Sequence, residues 1–141
     1  MLSPEDIARD SESSQQAALF QQAALHLYKY PMLKWLHAIP NANSHKMVAE
    51  GVRGGVPDVC LPWPKWISGI PSEDNPSGRY LIKCAGLYIE MKLEKYRNRK
   101  NGGCSDDQIK WIDYLLSVGY QCYVCYSWQE AWQRIEEYLN G

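Results

Sequence analysis

The clearest pattern in the chain is a strict alternation of apolar and polar residues over positions 87–93, which predicts a β-strand with one apolar face. The apolar positions are Leu87, Ile89, Met91 and Leu93, and the polar positions are Tyr88, Glu90 and Lys92. Because residues two apart on a strand project from the same face, Glu90 and Lys92 share one side of this predicted strand.

Apolar residues recurring every three or four positions predict three longer helices. They cover residues 12–30, 106–118 and 128–139. Pro31 ends the first of them, because proline cannot continue a helix. Ser105 with Gln108, and Ser127 with Glu130, have the spacing of a capping box, so the other two helices begin at these serines.

The remaining elements are shorter. Strands are predicted over residues 33–39, 58–61 and 120–126, and a short helix over 45–50. Loops or polar segments are predicted over residues 1–11, 51–57, 62–79 and 95–103, the first a loosely ordered lead-in and the last flexible. The order of helix, strands, helix, strand and helix predicts one α/β domain over residues 1–141, with a mixed β-sheet flanked by helices.

Composition narrows the function classes. The chain has no run of 18 apolar residues and no apolar segment at its start, so we expect a soluble, cytoplasmic protein without a membrane partner. A net charge of −1 argues against binding nucleic acid through bulk positive charge. Local clusters would be needed, and five cations fall within nine positions: Lys92, Lys95, Arg97, Arg99 and Lys100. The sequence has no P-loop and no GxGxxG, so no nucleotide cofactor is expected.

The cysteines do not indicate a metal or redox site. Five is an odd number, which excludes a fully paired disulfide framework. Cys122 and Cys125 form a CxxC, but they lie on a predicted strand, where residues three apart point to opposite faces. We expect buried free thiols.

Two acidic residues are placed where they could share a metal ion. Asp58 begins a predicted strand directly after a glycine-rich loop, and Glu90 interrupts the apolar strand 87–93. Magnesium prefers oxygen ligands, and a nearby lysine such as Lys92 can stabilise developing negative charge. Taken alone, Glu90 and Lys92 are more typical of the solvated face of an amphipathic strand than of a catalytic site.

Pro57-Asp58 followed by Glu90-Met91-Lys92 resembles the signature of the PD-(D/E)xK phosphodiesterase superfamily. The flanking segments resemble more specifically the VRR-NUC family, the virus-type replication-repair nucleases. The matching segments are Ile39-Pro40-Asn41, His45-Lys46, residues 50–58, Ile89 to Lys92, Ser105 to Gln108 with Trp111, Gly119-Tyr120, Glu130-Ala131 and Tyr138-Leu139. The resemblance covers about residues 12–139. Two features depart from it: residues 62–86 form a longer connector, and Ala42 replaces a common glycine.

The resemblance implies a restriction-endonuclease-like core that binds Mg²⁺ or Mn²⁺ and hydrolyses DNA. Asp58 and Glu90 would be metal ligands, together with the backbone carbonyl of Met91, and Lys92 would be the catalytic lysine. Gln108 matches a family glutamine with a catalytic role, although its capping-box role explains it equally well. Glu12 matches an acidic residue that reaches the metal shell, and an ordinary exposed glutamate is the alternative.

The resemblance also implies contacts to DNA. The candidate contacts are Asn41, His45, Lys46, Arg53, Lys95 and Arg97, with bracing of the loop as the alternative for Arg53. Family members that stand alone are small phage or bacterial proteins, and the resemblance implies cleavage of branched DNA such as four-way (Holliday) junctions. Because one chain supplies one set of Asp58, Glu90 and Lys92, cutting two opposed strands of such a junction predicts a homodimer. A catalytically inactive nucleic-acid-binding module and a restriction-type or repair nickase remain the alternatives.

Overall fold

The computed structural model describes residues 2–67 and 69–141 and has a four-stranded mixed sheet at its centre. The strands of this sheet are β1 (His37–Ala38), β2 (Val59–Leu61), β5 (Leu87–Met91) and β6 (Gln121–Cys125), in that spatial order. β2 is antiparallel to both β1 and β5, whereas β6 is parallel to β5. The α/β class with a mixed sheet flanked by helices is confirmed.

The register of β2 and β5 sets the position of the two acidic residues. Val59 lies opposite Ile89, and Cys60 lies opposite Tyr88. Extending this pairing by one residue places Asp58 opposite Glu90. Directly opposite residues of an antiparallel pair share one face of the sheet.

The two faces of the sheet carry different helices. The α-helices in the described part of the chain are α1 (Pro4–Ile7), α2 (Glu12–Leu25), α3 (His45–Ala49), α4 (Asp106–Ser117) and α5 (Trp128–Asn140). Apolar residues of β2, β5 and β6 form one buried cluster with α2 and α5. The helix α4 packs against β6, and its Gln108 contacts Glu90, so α4 covers the face that carries the acidic pair.

The connector between β2 and β5 contains a β-hairpin, which corrects the prediction of an insertion loop. Its strands, β3 (Lys65–Ile67) and β4 (Leu81–Cys84), are antiparallel and form a separate two-stranded sheet. The Tyr138 hydroxyl donates to the carbonyl of Trp63 at 2.5 Å, and the Lys65 ammonium lies 4.5 Å from the centroid of the Tyr138 ring. These contacts tie the base of the hairpin to α5.

Three other predictions were wrong in part. The lead-in is not loose throughout, since Ser3 and Asp6 form a capping box on α1. The helix α2 ends five residues before Tyr30, whose buried hydroxyl contacts Glu136 and Asn140. Residues 33–39 are mostly not a strand: Pro31–Trp35 is a 3₁₀ helix and only His37–Ala38 pairs with β2.

The segment after β5 is also more regular than its polar composition indicates. It contains a 3₁₀ turn, Glu94–Tyr96, and a tight turn over Lys100–Gly103 in which Asn101 and Gly102 have positive φ. Long-range contacts hold these turns, among them a 2.8 Å hydrogen bond from the Tyr126 hydroxyl to the carbonyl of Gly102. Across the described parts of the chain, no helix has the length and apolarity needed to cross a membrane.

Candidate active site

Asp58 and Glu90 face each other where β2 begins and β5 ends. The Asp58 carboxylate accepts a hydrogen bond from the backbone N–H of Met91 at 2.8 Å. This bond ties the residue before β2 to the last residue of β5. The hydrogen bond and the strand register therefore bring both carboxylates to the same end of the β2–β5 strand pair.

Glu90 is buried, with 2% of its surface exposed. Its Oε1 accepts a hydrogen bond from Gln108 Nε2 at 2.9 Å and lies 3.8 Å from Lys92 Nζ. Its Oε2 accepts no hydrogen bond from the described residues, and the protonated carboxyl hydrogen-bonds to Asp58. Burial and then the charge of Asp58 raise the pKa of Glu90 to about 9, while Lys92 acts in the opposite direction. In the absence of a cation, this carboxyl group therefore holds a proton at neutral pH.

Gln108 forms the predicted capping box and also contacts Glu90. Its backbone N–H donates to Ser105 Oγ, and its Oε1 accepts from the Ser105 backbone N–H at 2.8 Å, which completes the capping box of α4. Its Nε2 is the donor to Glu90. One side chain therefore fixes the start of α4 and one oxygen of the acidic pair.

The glycine-rich loop is packed against α4. Gly55 has φ +86°, and a Cβ there would lie 2.8 Å from the backbone carbon of Asp107. Asn41 Oδ1 accepts from the Gly55 backbone N–H at 3.2 Å, and Arg53 donates to the carbonyl of Val48 at 3.3 Å. Asn41 and Arg53 thus hold the loop in this structure, and bracing accounts for the position of Arg53.

The other predicted DNA contacts differ in their surroundings. His45 and Lys46 are exposed on α3. Lys95 is exposed, with its ammonium 5.3 Å from the centroid of the Tyr96 ring. Arg97 forms ion pairs with both Glu94 and Glu130. It also lies 4.4 Å from the centroid of the Tyr126 ring, so Arg97 is engaged within the protein.

Asp58 and Glu90 are the two carboxylates of this site that could hold a metal ion. Within residues 2–67 and 69–141, no three His, Cys, Asp or Glu side chains are arranged to hold a metal ion. Glu12 therefore does not complete a three-carboxylate set with Asp58 and Glu90, although its charge contributes to raising the pKa of Glu90. Two carboxylates with one buried oxygen that accepts no hydrogen bond from the described residues fit a magnesium-type ion, which often takes only one or two carboxylates and completes its shell with water and phosphate.

Sequence patterns did not identify two neighbours of the site. Cys104 is buried, and burial followed by the charge of Glu90 raises the pKa of its thiol. The Asp107 backbone lies close to Gly55 of the glycine-rich loop. The capping box located Asp107 at the start of a helix, and its contact with the loop joins residues 52 positions apart, so no local pattern indicated it.

All five cysteines are free and buried, as predicted. Cys122 pairs with Tyr88 and therefore lies on the Glu90 face, whereas Cys125 pairs with Met91 and belongs to the core cluster. The CxxC does not form one site.

Comparison with known proteins adds a family match. The model of the VRR-NUC domain matches residues 10–129. A solved structure described as a VRR_NUC domain protein is similar with a TM-score of 0.69 and 19% identity, covering 94% of this chain and 91% of that chain. At this identity the likeness shows the fold alone. No curated protein matches the chain.

Proposed function

The chain belongs to the VRR-NUC domain family and so has a nuclease-type function, and we propose that it is a metal-dependent endonuclease that hydrolyses phosphodiester bonds in DNA. The observation that carries this proposal is the pairing of Asp58 with the buried Glu90, whose Oε2 accepts no hydrogen bond from the described residues. A buried carboxyl oxygen without a hydrogen-bond partner costs stability. A bound cation would offset this cost, which is a physical reason for a carboxyl group to be buried at this position.

Asp58 and Glu90 would hold Mg²⁺ or Mn²⁺, and the carbonyl of Met91 is the third proposed ligand. When bound, such an ion polarises a phosphoryl oxygen and makes a water molecule a better nucleophile. Gln108 fixes Oε1 of Glu90 and leaves Oε2 available. Because the metal-free Glu90 carboxyl is protonated at neutral pH, binding of the cation at this pH releases a proton.

Lys92 would stabilise the negative charge that develops on the phosphate. Its side chain is 11% exposed and lies beside Glu90, so it is held near the acidic pair. His45 and Lys46, which are exposed on α3, are the proposed contacts to the DNA backbone from the glycine-rich-loop side.

The test is cleavage of linear, nicked, flap and four-way DNA with magnesium, manganese, calcium or chelator. We expect magnesium or manganese to support cutting and calcium to support binding alone. Undiminished cutting in excess chelator would exclude the metal-dependent mechanism. Failure to cut any substrate with either metal would contradict the proposed activity itself.

A finer proposal concerns the substrate and the assembly: a homodimer that cuts four-way junctions on two opposed strands. One chain carries one set of Asp58, Glu90 and Lys92, and a two-fold dimer presents two equivalent sets to a junction of approximate two-fold symmetry. The exposed apolar hairpin β3–β4 supports an interface, since large exposed apolar patches are typical of interaction surfaces. Product mapping on a junction, together with light scattering, tests this. A monomer that nicks linear duplex and junction equally would contradict it.

A further inference from the structure

Ion pairing divides the basic cluster of residues 92–100 into two groups. Lys92 forms an ion pair with Glu90, and Arg97 forms ion pairs with both Glu94 and Glu130. In the described portion of the chain, no ion pair engages the other cations of the cluster. These are Lys95, Arg99 and Lys100, all exposed.

Two of these cations line one cavity. It has a volume of about 420 Å³, and its lining includes Tyr96, Arg99, Lys100, Cys104, Ser105 and Asp106. The Arg99 guanidinium lies 4.5 Å from the centroid of the Tyr96 ring, and this stacking restricts its orientation. Asp106 is the acidic residue in this lining, against two cations.

A compact left-handed turn brings the two sides of the cavity together. Asn101, Gly102 and Gly103 have φ values of 55°, 61° and 85°. A Cβ on Gly103 would lie 2.6 Å from the Cβ of Tyr96, so the close approach of the turn to this ring requires glycine. The turn carries the chain from Arg99 to Cys104 within a few residues.

Hydrogen bonds link the lining of the cavity to the acidic pair. Ser105, in the lining, donates its backbone N–H to Gln108 Oε1 at 2.8 Å. Gln108 Nε2 in turn donates to Glu90 at 2.9 Å. Two hydrogen bonds therefore connect Ser105 to Glu90.

We propose that this cavity is a phosphate-binding subsite, which holds a backbone phosphate of DNA next to the phosphodiester at Asp58 and Glu90. The inference rests on the proposed nuclease function. A guanidinium and an ammonium facing one cavity match the charge and the acceptor oxygens of a phosphate. Arg97 has a different role: its two acidic partners make it a clamp between the turn after β5 and helix α5.

The test compares two double variants that lose equal charge. Arg99→Gln/Lys100→Gln removes the cations of the cavity. Lys29→Gln/Lys34→Gln is the control and removes two exposed lysines outside the cavity. Lys34 lies against Trp35, near the end of the sheet that does not carry Asp58. Binding of a labelled duplex is measured by anisotropy in chelator over a range of salt concentrations. We expect the slope of log K against log salt to fall by about one in the cavity variant, which loses the one phosphate contact of the subsite, and to stay unchanged in the control.

Asp106→Asn provides a change of opposite sign. Removing the acid from the lining should tighten binding about two- to fivefold, the size expected for one partly exposed charge interaction. Equal loss of slope in both double variants would show that only bulk charge matters and would overturn the subsite. An unchanged slope in the cavity variant, or unchanged binding in Asp106→Asn, would overturn it as well. Because wild-type cleavage is measured in parallel, these outcomes are distinct from a failure of the nuclease activity.

Discussion

The two ends of the β2–β5 strand pair depart from the usual distribution of polar and apolar residues in opposite ways. At one end a carboxyl group is buried, with Glu90 2% exposed and its pKa raised to about 9. At the other end, the hairpin leaves Trp66 and Ile82 56% and 55% exposed. The buried carboxyl group costs stability because it is removed from water, and the exposed hairpin side chains lose the stabilisation that apolar burial would give. Both features are expected where a protein binds a ligand or a partner. Each can be tested by a substitution that removes the carboxyl group or the exposed apolar side chains.

The largest expected effect is the loss of cleavage at the acidic end. Asp58→Ala, Glu90→Ala and Lys92→Ala should each lower the rate about a thousandfold or more, because each removes a proposed metal ligand or the charge beside the phosphate. Circular dichroism should show an unchanged fold. Glu73→Ala, an exposed glutamate in the hairpin connector, is the control and should cut normally. A folded Glu90→Ala protein with near-normal activity would end the assignment.

The next effect is on stability, and it has the opposite sign. Without metal, Glu90→Gln should be more stable than the wild type at neutral pH. The folded pKa of Glu90 is about 9, against 4.5 for an unperturbed glutamate. Between these values the unfolded chain loses a proton that the folded protein keeps, so wild-type stability falls as pH rises. At pH 7 the cost reaches about 3 kcal/mol, at about 1.4 kcal/mol per unit above 4.5.

Urea unfolding in chelator at pH 4 and pH 7 measures this effect. The variant should gain stability over the wild type at pH 7 and lose that advantage at pH 4, where the carboxyl is protonated in both states. Glu73→Gln should change neither value. A Glu90→Gln protein no more stable than wild type at pH 7 would show that the burial of this carboxyl carries no penalty.

The acidic end could be predicted from sequence because the family resemblance joined Asp58 to Glu90, whereas Glu90 and Lys92 alone suggested a solvated strand face. Alternation placed Glu90 and Lys92 on one face of a strand, and the capping box fixed the start of α4. The sequence could not show that Gln108 contacts Glu90 in addition to capping α4, because that contact spans 18 positions. Nor could it separate Arg97 from its basic neighbours, because Glu130 lies 33 positions away.

The hairpin end could not be predicted, because composition and pairing disagreed there. Prolines and glycines indicated a loop, and the short strands β3 and β4 are stabilised by pairing with each other rather than by their own pattern. The error at residues 33–39 has a similar origin. Leu33 and Leu36 are both buried, a spacing of three that suits the 3₁₀ helix better than a strand.

A smaller effect separates the two roles of Gln108. Gln108→Glu retains the capping box, in which glutamate is as suitable as glutamine, but replaces the donor to Glu90 with a like charge. We expect cleavage to fall about tenfold or more, the cost of losing one oriented hydrogen bond to a charged group, without loss of helix. Gln108→Ala should reduce both cleavage and stability. Equal stability of the two variants would show that the capping box contributes nothing.

The smallest effect on folding is expected at the hairpin. Trp66 and Ile82 are cross-strand partners and so lie on one face of the hairpin. In Trp66→Ser/Ile82→Ser, the free energy of unfolding of the monomer should change by no more than about 0.5 kcal/mol, because both side chains are already more than half exposed. Leu87→Ser, at the buried start of β5 and 1% exposed, should by contrast cost several kcal/mol.

Light scattering on the same double variant then tests what the exposed face is for. If the hairpin forms the proposed dimer interface, the variant should be monomeric at concentrations where the wild type is dimeric, with its fold intact. A variant that remains dimeric would place the interface elsewhere. A variant that loses well over 1 kcal/mol as a monomer would show that the hairpin face contributes to the fold, and the contrast with the buried acidic end would then disappear. Exposed apolar area alone does not establish an interface, so the combination of unchanged monomer stability and lost association is the result that supports one.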